Sequence, residues 1–305
     1  MNLHLTAQFP VSVILNDLDR TPEASHGYRS WMLQNCSFEY EVILNLFNDR
    51  RKHFEALSEG RNPLCSYAIM EYPRPPSFNI AAANNIGIHY AKGNYLVIAN
   101  SDIIYPPDYL ETLGRELLKR NIYFATTSRV QLSRVQTSAL RSPLHYNCSD
   151  GYAFVKTLRT DRNMILGISP WVFKRDIVLA IGGYDPRVWV HEDAECNDRV
   201  LHYLRRQNLQ YCHCVLLDLF GYHVHHPPSE LYDLSAQAKQ IFEPRRARLL
   251  RDPDSEEDVV DTKLDSLPIL LTDLAKMPES QPVLHIPVRQ RLRKVISWAA
   301  RHAKL

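Results

Sequence analysis

Three short clusters of polar residues in this sequence of 305 residues could do chemistry. The first is Asn100-Ser101-Asp102, which directly follows the apolar run Tyr95–Ala99. A carboxylate at a strand end, with an oxygen ligand two residues earlier, can coordinate a divalent cation that also bridges two phosphates. An Asp at a strand end is also common as a turn or cap residue, so this cluster needs support from the rest of the chain.

The second cluster follows the turn sequence Gly182-Gly183-Tyr184-Asp185 and consists of Glu192 and Asp193. The two acids begin a predicted helix, where the helix dipole favours negative charge. One interpretation is an ordinary acidic helix start. The other is a general base, because a carboxylate can take the proton from an attacking hydroxyl group.

The third cluster contains His223, His225 and His226, just before Pro227-Pro228. Three histidines within four residues suggest metal ligation or contact with phosphate. A structural role for the rings is the alternative.

Short apolar runs alternate with helical patterns in the first half of the chain, and this order must position the three clusters. Strands are predicted at Val11–Leu15, Glu41–Leu46, Leu64–Ile69, Tyr95–Ala99 and Ile122–Thr126, and helices at Tyr28–Asn35, from Ile80 to a stop at Gly93, and at Asp108–Arg120. The order predicts an open, mostly parallel α/β sheet with helices on both faces. Ligands of such sheets bind beyond the carboxyl ends of the strands, which favours a nucleotide-type ligand beside Asn16-Asp17, Asn48-Asp49 and Asn100-Ser101-Asp102.

The second half of the chain is less regular. Strand-like segments are predicted within Met164–Phe173 and Leu216–His226, and a helix at Glu192–Arg206. After Pro228 the composition changes: residues 252–279 are acidic, and the last eighteen residues carry only positive charges. We therefore expect a domain over 1–228 and a C-terminal helical extension over 229–305.

Four segments resemble, in order and spacing, the family-2 glycosyltransferases with the GT-A fold. They are VSVILNDLDR, NNIGIHYAKGNYLVIANSDIIYPPDYLETL, IGGYDPRVWVHEDAECNDRVL and GYHVHHPP. The resemblance covers about residues 10–228. It implies a Rossmann-like GT-A catalytic domain, with a nucleotide-sugar-binding half over about 10–126 and an acceptor-binding half over 127–228.

The resemblance also implies a role for individual residues. Asp102, with Asn100 in place of a first Asp, would hold Mg²⁺ or Mn²⁺ against the donor diphosphate, completed by His223 or His226. Asp193 would be the catalytic base of an inverting transfer, and Glu192 would orient the acceptor. Donor contacts are expected from Asn16, Asp17, Asn48, Asp49, Asn85, Asn100 and Ser101. Acceptor contacts are expected from Trp171, Trp189 and His191, although each tryptophan could equally be core.

The resemblance implies a nucleotide-sugar donor and a saccharide or lipid-linked saccharide acceptor, but it leaves the nucleotide open. The "DDGS" that usually follows strand 2 in the family is Leu46-Phe47-Asn48-Asp49 here. Two alternatives remain. A nucleotidyltransferase would need a basic, Gly-rich loop after strand 1, where Asn16-Asp17-Leu18-Asp19 is acidic. A non-catalytic sugar- or nucleotide-binding subunit would suit Asn100 better than it suits Glu192-Asp193.

Charge and composition narrow the partners. With 36 Lys+Arg against 34 Asp+Glu, nothing demands nucleic acid as a partner. The N-terminus has no basic and apolar export pattern, and six scattered cysteines are typical of reduced thiols, so we expect a cytoplasmic protein. Residues 286–305 form a basic amphipathic pattern that suits the inner face of a membrane or packing on the catalytic domain or on a second copy in a homodimer.

Overall fold

The structure is a computed structural model of the chain. It describes residues 11–18, 20–73, 78–158, 164–165, 167, 169–226, 235–252, 255 and 259–260. The predicted amphipathic helix over 286–305 lies outside these residues. Within them, no helix is both long enough and apolar enough to cross a membrane.

The strands belong to one sheet. They are β1 (Val11–Asp17), β2 (Tyr40–Leu46), β3 (Cys65–Glu71), β4 (Tyr95–Ile98), β5 (Ile103–Ile104), β6 (Phe124–Gln131), β7 (Met164–Ile165), β8 (Trp171–Lys174) and β9 (His213–His223). Their order is β3-β2-β1-β4-β8-β6-β9-β5, and β7 pairs with β6. The sheet is parallel from β3 to β4 and again between β6 and β9, whereas β8, β5 and β7 pair antiparallel with their neighbours. Most residue pairs are parallel, so the predicted sheet type is confirmed.

The helices lie between these strands. They are α1 (Thr21–Met32), α2 (Arg51–Ser58), α3 (Ile80–Tyr90), α4 (Tyr109–Arg120), α5 (Arg134–Ser138), α6 (Arg175–Ala180), α7 (Glu192–Arg206) and α8 (Ser235–Arg251), with 3₁₀ turns at Pro143–His145 and Ala153–Thr157. The bounds of α4 and α7 follow the prediction closely.

Apolar residues fill both faces of the sheet. Along β1, Val13 and Leu15 point into a core that includes side chains of α1, α2 and α4, whereas Ile14 points into a second core with α3, α6 and α7. Successive side chains of a strand face opposite sides, so a continuous apolar run is what a strand covered on both faces requires. The predicted arrangement of helices on both faces of the sheet is thereby confirmed.

Two helix bounds differ from the prediction for local reasons. α1 begins at Thr21 instead of Tyr28, because Pro22 suits a first turn and the Asp17 carboxylate accepts from the Arg20 N–H and the Thr21 hydroxyl. α3 ends at Tyr90, before Gly93. Gly93 instead allows close approach to β1, since a Cβ there would stand 2.5 Å from the Ser12 backbone nitrogen.

A second glycine sets the distance between α1 and the Asn100-Ser101-Asp102 cluster. A Cβ on Gly27 would stand 1.9 Å from the carbonyl oxygen of Ser101, which is far inside contact distance. Because the obstacle is backbone, it cannot be relieved by a rotamer change. α1 can therefore pack at this distance only with glycine at position 27.

We predict that Gly27→Ala lowers the free energy of unfolding by about 1–3 kcal/mol, the usual effect of overpacking a close contact. Urea unfolding measures the change. Glu55→Ala is the control, since its side chain is 47 % exposed and makes only a 3.6 Å ion pair with Arg51; its change should stay within about 0.5 kcal/mol. Equal stabilities of the two variants would contradict this account of the α1 contact.

Candidate active site

Asp102, His223 and His226 meet at the edge of the sheet beyond β4. β5 pairs antiparallel with β9, so Ile103 lies opposite His223, and the Val224 N–H donates to the Asp102 carbonyl oxygen at 2.9 Å. This pairing carries the late histidines to the carboxylate. The Nε2 atoms of His223 and His226 lie 3.5 and 3.0 Å from Asp102 Oδ2.

The three side chains are shielded from solvent and suit a cation. Their ligand atoms lie within 4.8 Å of one another, a grouping that could hold a metal ion. Each side chain is 12 % exposed or less. The buried Oδ1 of Asp102 and Nδ1 of His223 have no hydrogen-bond partner among the described residues. A carboxylate and two imidazoles are donors that divalent cations accept.

Arg20 supplies a positive charge to the same place. Its Nη1 lies 3.1 Å from Asp102 Oδ2 and 2.8 Å from His226 Nε2. Burial opposes ionisation of Asp102, but its hydrogen bonds to His223 and His226 and their charges outweigh burial and hold its pKa well below the usual value. Burial lowers the pKa of His223, which favours the neutral ring that a metal ligand needs. A cation bound here would take the place of the guanidinium, because Arg20 contacts two of the three ligands.

Glu192 and Asp193 begin α7 as half-buried neighbours. Burial and then the charge of Asp193 raise the pKa of Glu192 far above its usual value. Burial also raises the pKa of Asp193, but the Ala194 N–H, donating at 2.7 Å, and the charges of His191 and Arg129 oppose this rise. Because the two carboxyls interact, their protons leave in two steps that belong to the pair, which therefore holds one charged and one protonated carboxyl over a range of pH.

Arg129 on β6 lies near both groups of residues. Besides its effect on Asp193, its charge adds to burial in lowering the pKa of His223. Its buried Nε has no hydrogen-bond partner among the described residues. A cation whose charge acts on both groups could contact a phosphate or a developing negative charge.

The polar residues at the ends of β1 and β2 mostly form hydrogen bonds with one another or with neighbouring protein groups. Asn16 accepts from Asn45 at 2.9 Å and donates to Asn84 at 2.7 Å, and the buried Asp17 accepts from the Asn48 side chain at 3.0 Å. Their predicted contacts with the donor stay predictions.

A cavity of about 560 Å³ opens beyond the ends of β2 and β3, lined by Asn48, Asp49, Glu71, Tyr72 and Pro73. Tyr72 stacks on Phe47 with 5.3 Å between ring centroids, and Asp49 is nearly fully exposed. Asn48 and Asp49, two of the residues expected to contact the donor, therefore line a cavity together with an aromatic ring that was not among the predicted residues.

Other predicted residues have mainly structural partners. Asn85 is fully buried, and its amide donates to and accepts from the backbone of Tyr184, both at 2.8 Å. The exposed Asn100 accepts from the Ser169 hydroxyl at 3.3 Å, and Ser101 is the close neighbour of Gly27. Donor contacts of these residues stay predictions.

The residues expected to contact the acceptor differ in exposure. Trp171 is 6 % exposed in the core beside Phe124, which leaves little of its ring available to an acceptor. Trp189 is half-buried and donates to the Pro186 carbonyl at 2.8 Å. His191 precedes α7 in the left-handed conformation, with φ of 68°, next to the acid pair.

The central part of the chain matches the model of a known family. Residues 71–179 match the model of glycosyl transferase family 2. The chain is a glycosyltransferase that carries a family-2 segment. This segment runs from the end of β3 to α6 and includes Asp102. No curated protein matches the sequence.

Several solved glycosyltransferases and related proteins are similar in structure. A mannosyltransferase from Pyrobaculum calidifontis, in complex with GDP-Man and Mn²⁺, is 16 % identical over 95 % of this chain and 80 % of its own, with a TM-score of 0.49. TarS 1–349 from S. aureus is 9 % identical over 87 % and 70 %, with a TM-score of 0.49. Glucosyl-3-phosphoglycerate synthase from Mycobacterium tuberculosis, with Mn²⁺, UDP-Glc and phosphoglyceric acid, is 15 % identical over 84 % and 82 %, with a TM-score of 0.46. With TM-scores below 0.5, none of them decides the substrate of this glycosyltransferase.

Two arginines of the glycosyltransferase site, Arg20 and Arg129, were missed by the sequence argument. Arg20 ends the VSVILNDLDR segment, so its place after β1 was a usable signal. Arg129 lies inside a strand and carries no local signal, because an arginine in a strand is usually a solvated surface residue.

We predict that Asp102→Asn weakens Mn²⁺ binding at least about 10- to 100-fold, since the amide removes the one carboxylate from the group. Electron paramagnetic resonance of free Mn²⁺, with GDP or UDP present, measures the affinity. His225→Ala is the control, because the His225 side chain is exposed and its hydrogen bond to Thr137 is made by the backbone N–H, which the substitution keeps. The affinity of this variant for Mn²⁺ should stay within about twofold of the wild type. Wild-type affinity in Asp102→Asn would rule out this ligand group.

Proposed function

We propose that this glycosyltransferase moves a sugar from a nucleotide-sugar donor to an acceptor hydroxyl with inversion, and that Asp193 is its general base. The observation that carries the proposal is the acid pair at the start of α7, where the Ala194 N–H donates to Asp193 and the charges of His191 and Arg129 favour its ionised form, while Arg129 also acts on His223 of the Asp102 group. A charged carboxylate beside a protonated one supports two different roles for the two acids.

The donor site is proposed on the sheet edge between the cavity and the Asp102 group. Asn48, Asp49 and Tyr72 line the cavity, which suits a nucleoside beyond the carboxyl ends of β2 and β3. Asp102, His223 and His226 would hold the divalent cation. A bound cation supplies Lewis-acid stabilisation of the negative charge on the departing diphosphate.

The ligand set favours Mn²⁺ over Mg²⁺ in this proposal. Mg²⁺ prefers oxygen ligands in strict octahedral geometry and gives up water reluctantly. Two of the three side chains here offer imidazole nitrogen, which transition metals accept more readily.

The protein residues would then carry out the proton transfer of a single displacement. The acceptor hydroxyl gives its proton to the Asp193 carboxylate as its oxygen forms a bond with the anomeric carbon. The bond between this carbon and the diphosphate oxygen breaks on the opposite side, and its electron pair leaves with the nucleoside diphosphate. Protonated Glu192 can donate a hydrogen bond to the acceptor and orient it.

The acceptor is proposed to be a saccharide or a lipid-linked saccharide. Trp189 and His191 shortly precede the proposed base Asp193 in the sequence, and a half-buried tryptophan can stack on a sugar ring. These two residues are the acceptor contacts that the structure favours over Trp171.

We predict that Asp193→Asn lowers turnover by about 10²–10⁴-fold with little change in donor affinity, because it removes the proton acceptor alone. Glu192→Gln should stay within about tenfold of the wild type, since glutamine resembles the protonated glutamic acid that the pair contains. Release of nucleoside diphosphate from a panel of nucleotide sugars with Mn²⁺ measures both. Retention of turnover in Asp193→Asn, or the larger loss in Glu192→Gln, would refute the assignment of the base.

The pH dependence follows from the direction of the Asp193 pKa. A base is active only when charged, and the charged form is lost as the pH falls through the folded-state pKa. Because burial raises this pKa, we predict that turnover falls on the acid side at a higher pH than for an ordinary aspartate. A pH profile of kcat tests this, with Glu192→Gln expected to keep the same acid limb.

A lipid-linked acceptor would agree with a membrane role for the basic amphipathic pattern over 286–305, which we propose from the sequence alone. We predict that the full-length chain co-sediments with vesicles containing anionic lipid, that a 1–285 truncation does so much less, and that neither binds neutral vesicles, since basic residues account for part of the attraction. Identical sedimentation of the two chains would contradict the membrane role.

A further inference from the structure

α8 lies outside the segments that resemble the family, yet it packs on the segment that leads to the acid pair. Val188 and Val190 form a small hydrophobic cluster with Ala238 and Phe242 of α8. The helix is therefore attached to the stretch between Asp185 and α7 by apolar contact.

One buried arginine of α8 bridges two buried carboxylates of that stretch. Nη1 of Arg245 lies 2.8 Å from Asp185 Oδ2 and also donates to Glu195 Oε1. The side chains of Asp185 and Glu195 are 0 and 1 % exposed, and that of Arg245 is 10 % exposed. Asp185 precedes Glu192-Asp193 and Glu195 follows it, so the nitrogen joins the two ends of the segment that carries the base.

Two further arginines complete the network. Arg199 pairs with Glu195 at 2.7 Å and donates to the carbonyl oxygens of Ile181 and Gly183. Arg187 pairs with Asp185 at 2.8 Å, but its own side chain is 61 % exposed. Burial alone would raise the pKa of Asp185, but hydrogen bonds from Arg187 and the charge and hydrogen bond of Arg245 lower it to about 2. Arg245 pairs with both acids through a single nitrogen atom.

The chain beyond α8 also contacts the start of this segment. The Val260 N–H donates to the Ile181 carbonyl oxygen at 3.0 Å. A Cβ on Gly182 would stand 1.7 Å from the Val260 carbonyl oxygen, so Gly182, with φ of 76°, packs directly on this backbone. The C-terminal residues thus hold both the turn and the helix start that flank the acid pair.

We propose that Arg245 is a positioning residue, which fixes the segment 185–195 and thereby the direction of the Asp193 carboxylate. The inference rests on the proposed function, because it takes Asp193 as the base. Without Arg245, Asp185 keeps Arg187 and Glu195 keeps Arg199, but the shared cation that joins the two carboxylates is lost, and their repulsion loosens the segment. A displacement of about 1 Å of a reacting group can lower a rate about 10²-fold. We therefore expect the loss of Arg245 to lower kcat.

The geometry defines a conservative variant and a matched control. Because one nitrogen atom makes both contacts, the single ammonium group of lysine can replace it, and Arg245→Lys should retain function. Arg246→Gln is the control, since Arg246 is the next residue of α8 and pairs with Asp198 of α7 at 3.1 Å, away from the segment 185–195. Both glutamine variants remove one positive charge and one ion pair between α7 and α8.

The experiment uses the full chain, with Mn²⁺ and whichever nucleotide sugar of the panel gives turnover. We expect Arg245→Gln to lower kcat by about 30- to 100-fold with the KM for the donor within about threefold. Hydrogen–deuterium exchange should become at least about tenfold faster in peptides covering 182–194. Arg245→Lys and Arg246→Gln should both stay within about threefold of the wild type in kcat and in exchange.

A second variant covers the case in which Arg245→Gln fails to fold. Adding Asp185→Asn removes the opposing charge while the bridge stays broken, so Arg245→Gln/Asp185→Asn should fold and show the same loss of kcat. Equal effects of Arg245→Gln and Arg246→Gln, a loss in Arg245→Lys as large as in Arg245→Gln, or a normal kcat in the double variant would overturn the proposal.

The outcome is separable from that of the proposed function. The exchange of 182–194 reports on the segment whether or not Asp193 is the base. If Asp193→Asn keeps its turnover while Arg245→Gln loosens the segment, the base assignment fails alone. If Asp193→Asn is inactive while Arg245→Gln behaves as Arg246→Gln, the positioning role fails alone.

Discussion

The site depends on one buried carboxylate that must be compensated. Removing the charge of Asp102 from water is unfavourable unless cations or hydrogen-bond donors surround it. Two segments far apart in the sequence provide them: Arg20 lies just before α1, and His223 and His226 lie at and just after the end of β9. The pairing of β5 with β9 brings the histidines in, and the absence of a side chain at Gly27 lets α1 approach the carboxylate's loop. The same requirement therefore brings together three side chains that could hold a cation.

The two acidic clusters differ because their surroundings differ. Asp102 is held ionised by donors, which suits a group that holds positive charge. Burial raises the pKa values of Glu192 and Asp193, and their mutual repulsion keeps one of the two carboxyls protonated over a range of pH. Arg129 lies near both clusters and links them electrostatically. Around the acid pair, buried arginines and carboxylates form a network that connects α7, α8 and the turn at Asp185 before α7.

Much of the architecture could be predicted, for a physical reason. A strand covered on both faces is mostly apolar, so the apolar runs Val11–Leu15 and Tyr95–Ala99 can be recognised as strands in the sequence. The polar residues after these strands indicate the edge of the sheet where a ligand binds. Helix starts were less certain. α1 begins seven residues before the prediction, since Pro22 and the Asp17 carboxylate determine its first turn, and α2 was not predicted. The domain boundary near residue 228 stays a prediction, although α8 packs against α7 and shares its ion pairs.

By itself, the sequence determined the α/β sheet, the glycosyltransferase resemblance and the three clusters at Asp102, Asp193 and His223–His226, because each is a local pattern of neighbouring residues. Only the tertiary structure decided which charges face them. Arg20, Arg129 and Arg245 act on groups 82, 64 and 50 or more positions away along the chain. The place of Arg20 after β1 is a local signal, but nothing in the residues beside Arg129 and Arg245 indicates their partners. Long-range electrostatic partners are selected by how strands and helices pack, and the energy of such a pair depends on burial, which a sequence pattern does not specify.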